Sequence, residues 1–526
     1  MPHSLAPRLA LWIACSLLIC ASFARLPAKS ARPPSVQPPA AASAPAITID
    51  PRKELFIVHP GVVDDARAEN LGPWSFGYLM TQLAGPVPAP VFVEAWLDTW
   101  GEDPNFVNGD QVFSPDKAAS MCKFKQRWLG QDNYLDLANA PFRLLAIVNR
   151  PDLLEIDQGV VSSAGEARFI YGAFDPEDPT RTFSFFVIFE YGIPATSCSD
   201  LVGWHQRWHD LGSLALGSEE YNQALEDITN DFVLPSAQST KPNGTLLNQL
   251  RTNEFELMVG SGSHPDCSTG LSADWDLREF GLTLDASGGH LLRNVTTKQT
   301  PQFKMLFCDN QGMPRRKLIH DFLKENAQAV LAGSHVVPET FHGKAFLAGR
   351  AQNHPNHPRP WNGNTCNDLS SPCDFLPLSG PPGTTWWAEP CYHCYDGSTG
   401  VSDVCSEDPE EDILVRHRFA LQTCSGCHFQ ETGNSLANNP EVGGFSMVSE
   451  RQKGEAAVLS RFLTGIAGVP DPVNPSVTRG FNDLANRKDI LVRILEASCT
   501  TSGGEVNPLA IEELEQIDDE MGTRVH

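Results

Sequence analysis

Basic residues are scarce in this 526-residue chain: 39 Lys and Arg stand against 64 Asp and Glu, a formal net charge of −25. A surface that acidic repels phosphate backbones and anionic headgroups, which argues against nucleic acid and the membrane surface as partners. Familiar catalytic strings are missing too. There is no HExxH, no GxSxG and no P-loop, so zinc-peptidase, serine-hydrolase and phosphate-cradling mechanisms find no anchor. No internal repeat is present. Past residue 30 no apolar run approaches the roughly 20 residues a membrane helix needs. Charged residues make up 20% and apolar ones 41%, which places the chain among globular rather than disordered proteins.

One apolar run does stand at the start. Arg8 supplies a positive n-region, Leu9 to Ala24 is too short to remain as an anchor, and Ser22-Phe23-Ala24 sets small residues where a signal peptidase cleaves. Residues 1–24 are therefore expected to be a signal peptide, with lipid attachment at Cys20 as a weaker variant. Residues 25–49 read as a Pro/Ala-rich linker. Export to the periplasm, cell surface or extracellular space follows, and a mature chain with no transmembrane segment. Of the 14 cysteines, Cys15 and Cys20 fall within the signal. The remainder, exposed to an oxidising compartment, are expected to be mostly disulfide-bonded.

The mature chain is expected to be α+β. A large mixed body spans residues 50–349, with strands over Phe142–Val148, Arg168–Phe174, Phe183–Tyr191, Phe255–Val259 and Trp275–Leu284. The run FSFFVIFEY suits a strand buried on both faces, and Asp175-Pro-Glu-Asp-Pro-Thr suits a hairpin connection. Ser218 is a candidate N-cap for a helix reaching Phe232, and a further helix is expected over His320–Leu331. Residues 350–412 hold five cysteines among many Pro, Gly and Asn and read as a cysteine-rich irregular connector. Residues 413–526 return to helical spacing at Val458–Leu463, Leu484–Leu495 and Leu509–Met521, a small, mostly helical C-terminal domain.

That last region carries the most specific chemistry. Cys424-Ser425-Gly426-Cys427-His428 places two thiols where they can add to the two vinyl groups of one haem, and a histidine where it can reach the iron. The small Ser425 and Gly426 suit a loop lying flat against a porphyrin edge. For a second axial ligand the downstream candidate is Met447, in GGFSMVSERQ, where Gly443 and Gly444 permit close backbone approach. His417 is the alternative. Two other readings of the cysteines stay open: a four-thiolate zinc site with Cys391 and Cys394, and a plain or redox disulfide.

Through this pentapeptide, residues 413–495 resemble c-type cytochromes. Segments such as KPNGTLLNQLRTNEFEL are similar to parts of large uncharacterised exported bacterial proteins that also end in a CxxCH-bearing tail. The resemblance implies one covalent haem c, Cys424 and Cys427 as its attachment points, His428 and Met447 on the metal, and a redox partner protein. An electron-transfer role is the first expectation. A haem-dependent, peroxidase-like oxidoreductase, or a secreted binding or structural protein using its CxxC pairs for disulfides or zinc, are the alternatives.

Other constellations are weaker. His205 and His209 in GWHQRWHD have metal-ligand spacing on one helix face, but Trp204 and Trp208 at the same spacing suggest a packing helix instead. His354 and His357 sit in a proline-bracketed loop. Glu94, Asp98 and the Glu410–Asp412 run fit solvated acidic faces.

Overall fold

The computed structural model describes residues 47–101, 106–107, 110–111, 115–256, 276–295, 325–332, 414–415, 417–419, 421, 427–428, 431–434, 446–471, 476–500 and 506–520. The expected signal peptide, most of the linker, the cysteine-rich connector and Cys424 lie outside these.

Strands are numbered in chain order, β2 (Phe106–Val107) and β3 (Asp110–Gln111) forming a small separate hairpin. The centre is an antiparallel seven-stranded sheet, ordered β1 (Phe56–Ile57), β4 (Phe142–Asp157), β5 (Val160–Asp175), β6 (Asp178–Pro194), β7 (Leu247–Glu256), β8 (Asp276–Leu284) and β9 (His290–Val295). The sequence explains the long central hairpins. Gln158 and Gly159 both adopt positive φ between β4 and β5, the twist-matching backbone of a two-residue hairpin turn. Between β5 and β6, Asp175 Oδ1 accepts from Glu177 N at 3.1 Å, and the acidic turn closes the expected hairpin. Pro151 cannot donate to a ladder, and the β4–β5 register shifts there, between Arg150 and Leu154.

Both faces of the sheet are covered, which is why β6 is nearly continuous in large apolar residues. On one face lie helices Phe76–Ala84, Ala89–Asp98, Pro115–Trp128, Cys198–Asp210 and Glu219–Val233. They share with the sheet an apolar cluster centred on aromatics, including Trp74, Trp96, Trp100, Trp208, Tyr171 and Phe189. Ser218 caps the last of these helices, as expected, its hydroxyl accepting from Tyr221 N. The opposite face is covered by the C-terminal segment. Val448, Phe462, Leu463, Leu484 and Leu491 pack there with Phe56, Ala146, Val148, Ile170 and Phe186. The described residues, from Ile47 on, fall into one compact unit.

The C-terminal segment is less helical than its spacing predicts. Asp483–Glu496 and Pro508–Glu520 are helices, but Arg461–Thr464 is a single turn and β10 (Ile466–Pro470) pairs with β11 (Thr478–Phe481). Ser460, in extended backbone, is the N-cap that starts this turn, and Val458 before it donates its N–H to Ser449 Oγ at 2.8 Å, while Gly465 and Gly468, both at positive φ, redirect the chain after the turn. Of the expected strand at Phe255–Val259, the described residues 255–256 end β7, which begins at Leu247; the rest lies outside the described residues. The described part of the helix expected over His320–Leu331 is Ala327–Ala332. Among the described residues no helix is long and apolar enough to cross a membrane.

Cys198 at the start of its helix is bonded to Cys499, 301 residues away, and Cys122 is also disulfide-bonded. Cys267, Cys308, Cys366, Cys373, Cys391, Cys394 and Cys405 lie outside the described residues.

Candidate functional site

A cavity of about 100 Å³ lies between the sheet and the C-terminal segment. The sheet contributes Val148 and Arg150 from β4, Arg168 and Ile170 from β5, Phe186 and Ile188 from β6, Arg251 from β7 and Leu277 from β8. The i, i+2 spacing of these pairs follows from strand alternation, which turns both members to the same face. The C-terminal segment contributes His428, Ser446, Met447, Val448, Phe462, Leu463 and Arg487. His428 and Met447, separated by 19 positions in sequence, thus face one space. The volume is below the roughly 300–1,000 Å³ of ordinary small-molecule pockets.

The backbone at Cys427 and His428 and the side chain of Met447 are tied down locally. Cys427 and His428 share one wide helical turn, and Cys427 is a buried thiol. Thr432 Oγ1 donates to the Cys427 carbonyl at 2.6 Å. Asn434, fully buried, holds the two segments in common: its Nδ2 stands 3.4 Å from the His428 carbonyl, 3.5 Å from the Ser446 carbonyl and 3.7 Å from Met447 Sδ. Ser460 adds a backbone N–H to the Met447 carbonyl at 2.9 Å and a hydroxyl 3.3 Å from its sulfur.

Arg451 fixes the Met447 loop to the body. Its side chain is fully buried and makes a two-pronged pair with Asp64 at 2.7 and 2.9 Å. The same guanidinium donates to the Leu144 carbonyl at 2.6 and 2.9 Å and to the Val63 carbonyl at 3.1 Å. A fork that fills so many acceptors is geometry only arginine supplies.

The charged part of the cavity wall rests on a buried ladder of alternating sign. Arg150 faces Glu166 across β4–β5, Arg168 faces Glu190 across β5–β6, and Arg251 faces Glu279 across β7–β8, so opposite charges lie directly opposite. Arg150 grips Asp152 with Nε–Oδ1 at 2.9 Å and Nη2–Oδ2 at 2.6 Å. Arg168 reaches Glu166 at 2.7 Å and Glu190 at 3.1 Å, and Arg251 reaches Glu279 at 2.9 Å and Glu190 at 3.3 Å. Burial pushes the Asp152 carboxyl up, but Arg150 and Arg487 outweigh it and hold the group well below the usual range. Asp483, ion-paired with Arg487, goes the other way, raised chiefly by burial.

The remaining candidates sort clearly. His417 is absent from the cavity wall; its Nδ1 lies 2.6 Å from Glu431 Oε2. These two and Asp471 are all buried, with ligand-type atoms within 4.8 Å of one another, a grouping that could hold a metal ion. Asp471 is also paired with Arg479 at 2.7 Å. His205 and His209 diverge despite their spacing: His205 Nε2 bonds the Ala164 carbonyl and His209 Nδ1 bonds Glu54 Oε2, each at 2.9 Å. Their helix packs through Trp204 and Trp208. Glu94 and Asp98 pair with Lys125. His354, His357 and Glu410–Asp412 lie outside the described residues.

Sequence reasoning passed over the arginines, Asn434 and Ser460. The signal for the first was present, since Val148/Arg150 and Arg168/Ile170 alternate within otherwise apolar strands. Comparison with protein-family models, with curated proteins and with solved structures finds no match to this chain.

Proposed function

We propose that this chain is an exported monohaem c-type cytochrome-like protein that transfers electrons or serves a redox partner. Cys424 and Cys427 would carry the thioether bonds, His428 the proximal position and Met447 the distal one. The observation that carries this reading is that His428 and Met447 line one cavity, with buried Asn434 within hydrogen-bonding distance of both segments. The residues present fit the group chemically: a buried thiol, an imidazole and a thioether sulfur beside apolar walls are the donor set a low-spin haem c takes. Bound there, the iron would supply a one-electron couple. The chain's part is to hold the sulfur through Ser460, to shield the site with Phe462, Phe186 and Ile188, and to fix the Met447 loop through Arg451.

The test is chemical. Protein produced with haem-c maturation machinery, then denatured and acid-extracted, should keep its Soret absorbance, because thioether bonds survive where simple ligation does not. Replacing both Cys424 and Cys427 by Ala should abolish it. Stoichiometric zinc without haem would overturn the reading.

A further inference from the structure

Among the described residues the cavity wall has charge of one sign only: Arg150, Arg168, Arg251 and Arg487 line it, and no carboxylate does. Their counter-ions, Asp152, Glu166, Glu190, Glu279 and Asp483, sit in the same ladder away from the wall. Arg487 is incompletely served by them. It is 4% exposed, and its Nε and Nη1 make no hydrogen bond; the nearest pairing of Nε is an ion contact with Asp152 at 3.5 Å. Burial and the neighbouring Arg150 both press its pKa downward. A buried guanidinium with two idle N–H groups beside an enclosed space is short of an acceptor.

The chemistry of that acceptor is narrow. Four guanidinium groups already share five carboxylates, a balance that resists a polyphosphate; what Arg487 lacks is acceptors for two N–H groups rather than counter-charge. A carboxylate asks less: one charge spread over two oxygens, matched in spacing to the arginine fork. We infer that the arginine-lined wall of this cavity is a carboxylate-binding site, and, resting on the haem reading above, that its occupant is a haem propionate. The body's sheet then forms half of the cofactor site rather than a separate module. The same chemistry would suit a small organic acid, and the experiment separates the two sources.

The full chain is matured with haem c, and the midpoint potential is measured by optical titration across about pH 5–8, the window in which a carboxylate deprived of its donor would titrate. Variants are Arg487→Met, Arg487→Lys and Arg251→Met, the second keeping charge where the first fails to fold. With a propionate bound, Arg487→Met shifts the potential downward and makes it pH-dependent, and Arg487→Lys shifts it less. Haem attached, with potential and pH slope unchanged in both Met variants, overturns the inference and leaves the haem reading standing. If no covalent haem is present the haem reading falls, and thermal melting with succinate decides. A succinate-dependent rise in Tm that Arg487→Met removes supports a carboxylate from a small acid; no rise overturns the inference.

Discussion

Ser460 holds Met447 at two points, its N–H on the backbone carbonyl at 2.9 Å and its hydroxyl 3.3 Å from the thioether sulfur. That hydroxyl contact commits one lone pair of the sulfur, and the longer one from Asn434 Nδ2, at 3.7 Å, is the one that a bound iron would displace. If the other lone pair is on iron, Met447→Ala should convert the iron from low to high spin, lower the potential and open a site for small ligands. Ser460→Ala should keep the low-spin spectrum while lowering the potential, since the hydrogen bond draws density from the ligand. A Met447→Ala spectrum identical to wild type would mean the sulfur only packs, and the peroxidase-like reading would then lead.

Arg451 joins the Met447 loop to Asp64 and to two carbonyls of the body. Arg451→Met should destabilise the protein by about 3–5 kcal/mol, the usual consequence of stranding the partner of a buried pair. Urea unfolding measures it. Arg451→Lys should recover only part, because an ammonium cannot form the fork. A loss under about 1 kcal/mol would show that Asp64 and the freed carbonyls find water instead.

His205 gives the fold a pH limit. Burial lowers its pKa to about 4, although its Nε2 bonds the Ala164 carbonyl. The folded form therefore binds fewer protons than the unfolded form, whose histidine titrates near 6.5. The stability this contributes is fully present above about pH 6.5 and falls away as pH drops toward 4, by about 3 kcal/mol in all. Urea midpoints between pH 7 and 4 should fall more steeply for the wild type than for His205→Gln. Parallel slopes would assign the acid loss to other groups.

The Cys198–Cys499 bond closes a loop of 301 residues. Chain-entropy reasoning gives such a link up to about 5 kcal/mol, less where other crosslinks already restrain the unfolded chain. Cys198→Ala with Cys499→Ala should lower Tm and speed proteolysis near residue 499 before the sheet is attacked. Simultaneous loss of both regions would mean that the C-terminal segment and the sheet unfold as one unit.

The central strands and the Ser218-capped helix were legible because their signals are local: alternation, a polar turn, a cap. Helix Ala89–Asp98 is less legible, because its start is marked by Pro88 and Pro90, and proline suits both a loop and the first turn of a helix. The Cys424–His428 pentapeptide is a local signal as well, for a haem that remains a proposal. What covers the second face of the sheet is not, since Arg451 and Leu144 meet across 307 residues and no periodicity reports such a pairing. Arg168 and Arg251 are buried where the C-terminal segment meets the sheet, a placement their own strands do not signal.

The order of strands in the sheet has a consequence for how the protein is made. From β4 to β9 each strand pairs with its successor in the chain, so these pairings need only modest loop closures and should form early. The covering segment comes from some 300 residues downstream, and its closure is entropically later. An emerging chain would thus hold a nearly finished sheet with one apolar, arginine-bearing face open to solvent. That interval is when aggregation competes with folding. On the haem reading proposed above, it is also when Cys427 and His428 would be open to cofactor attachment, before the segment docks on the sheet.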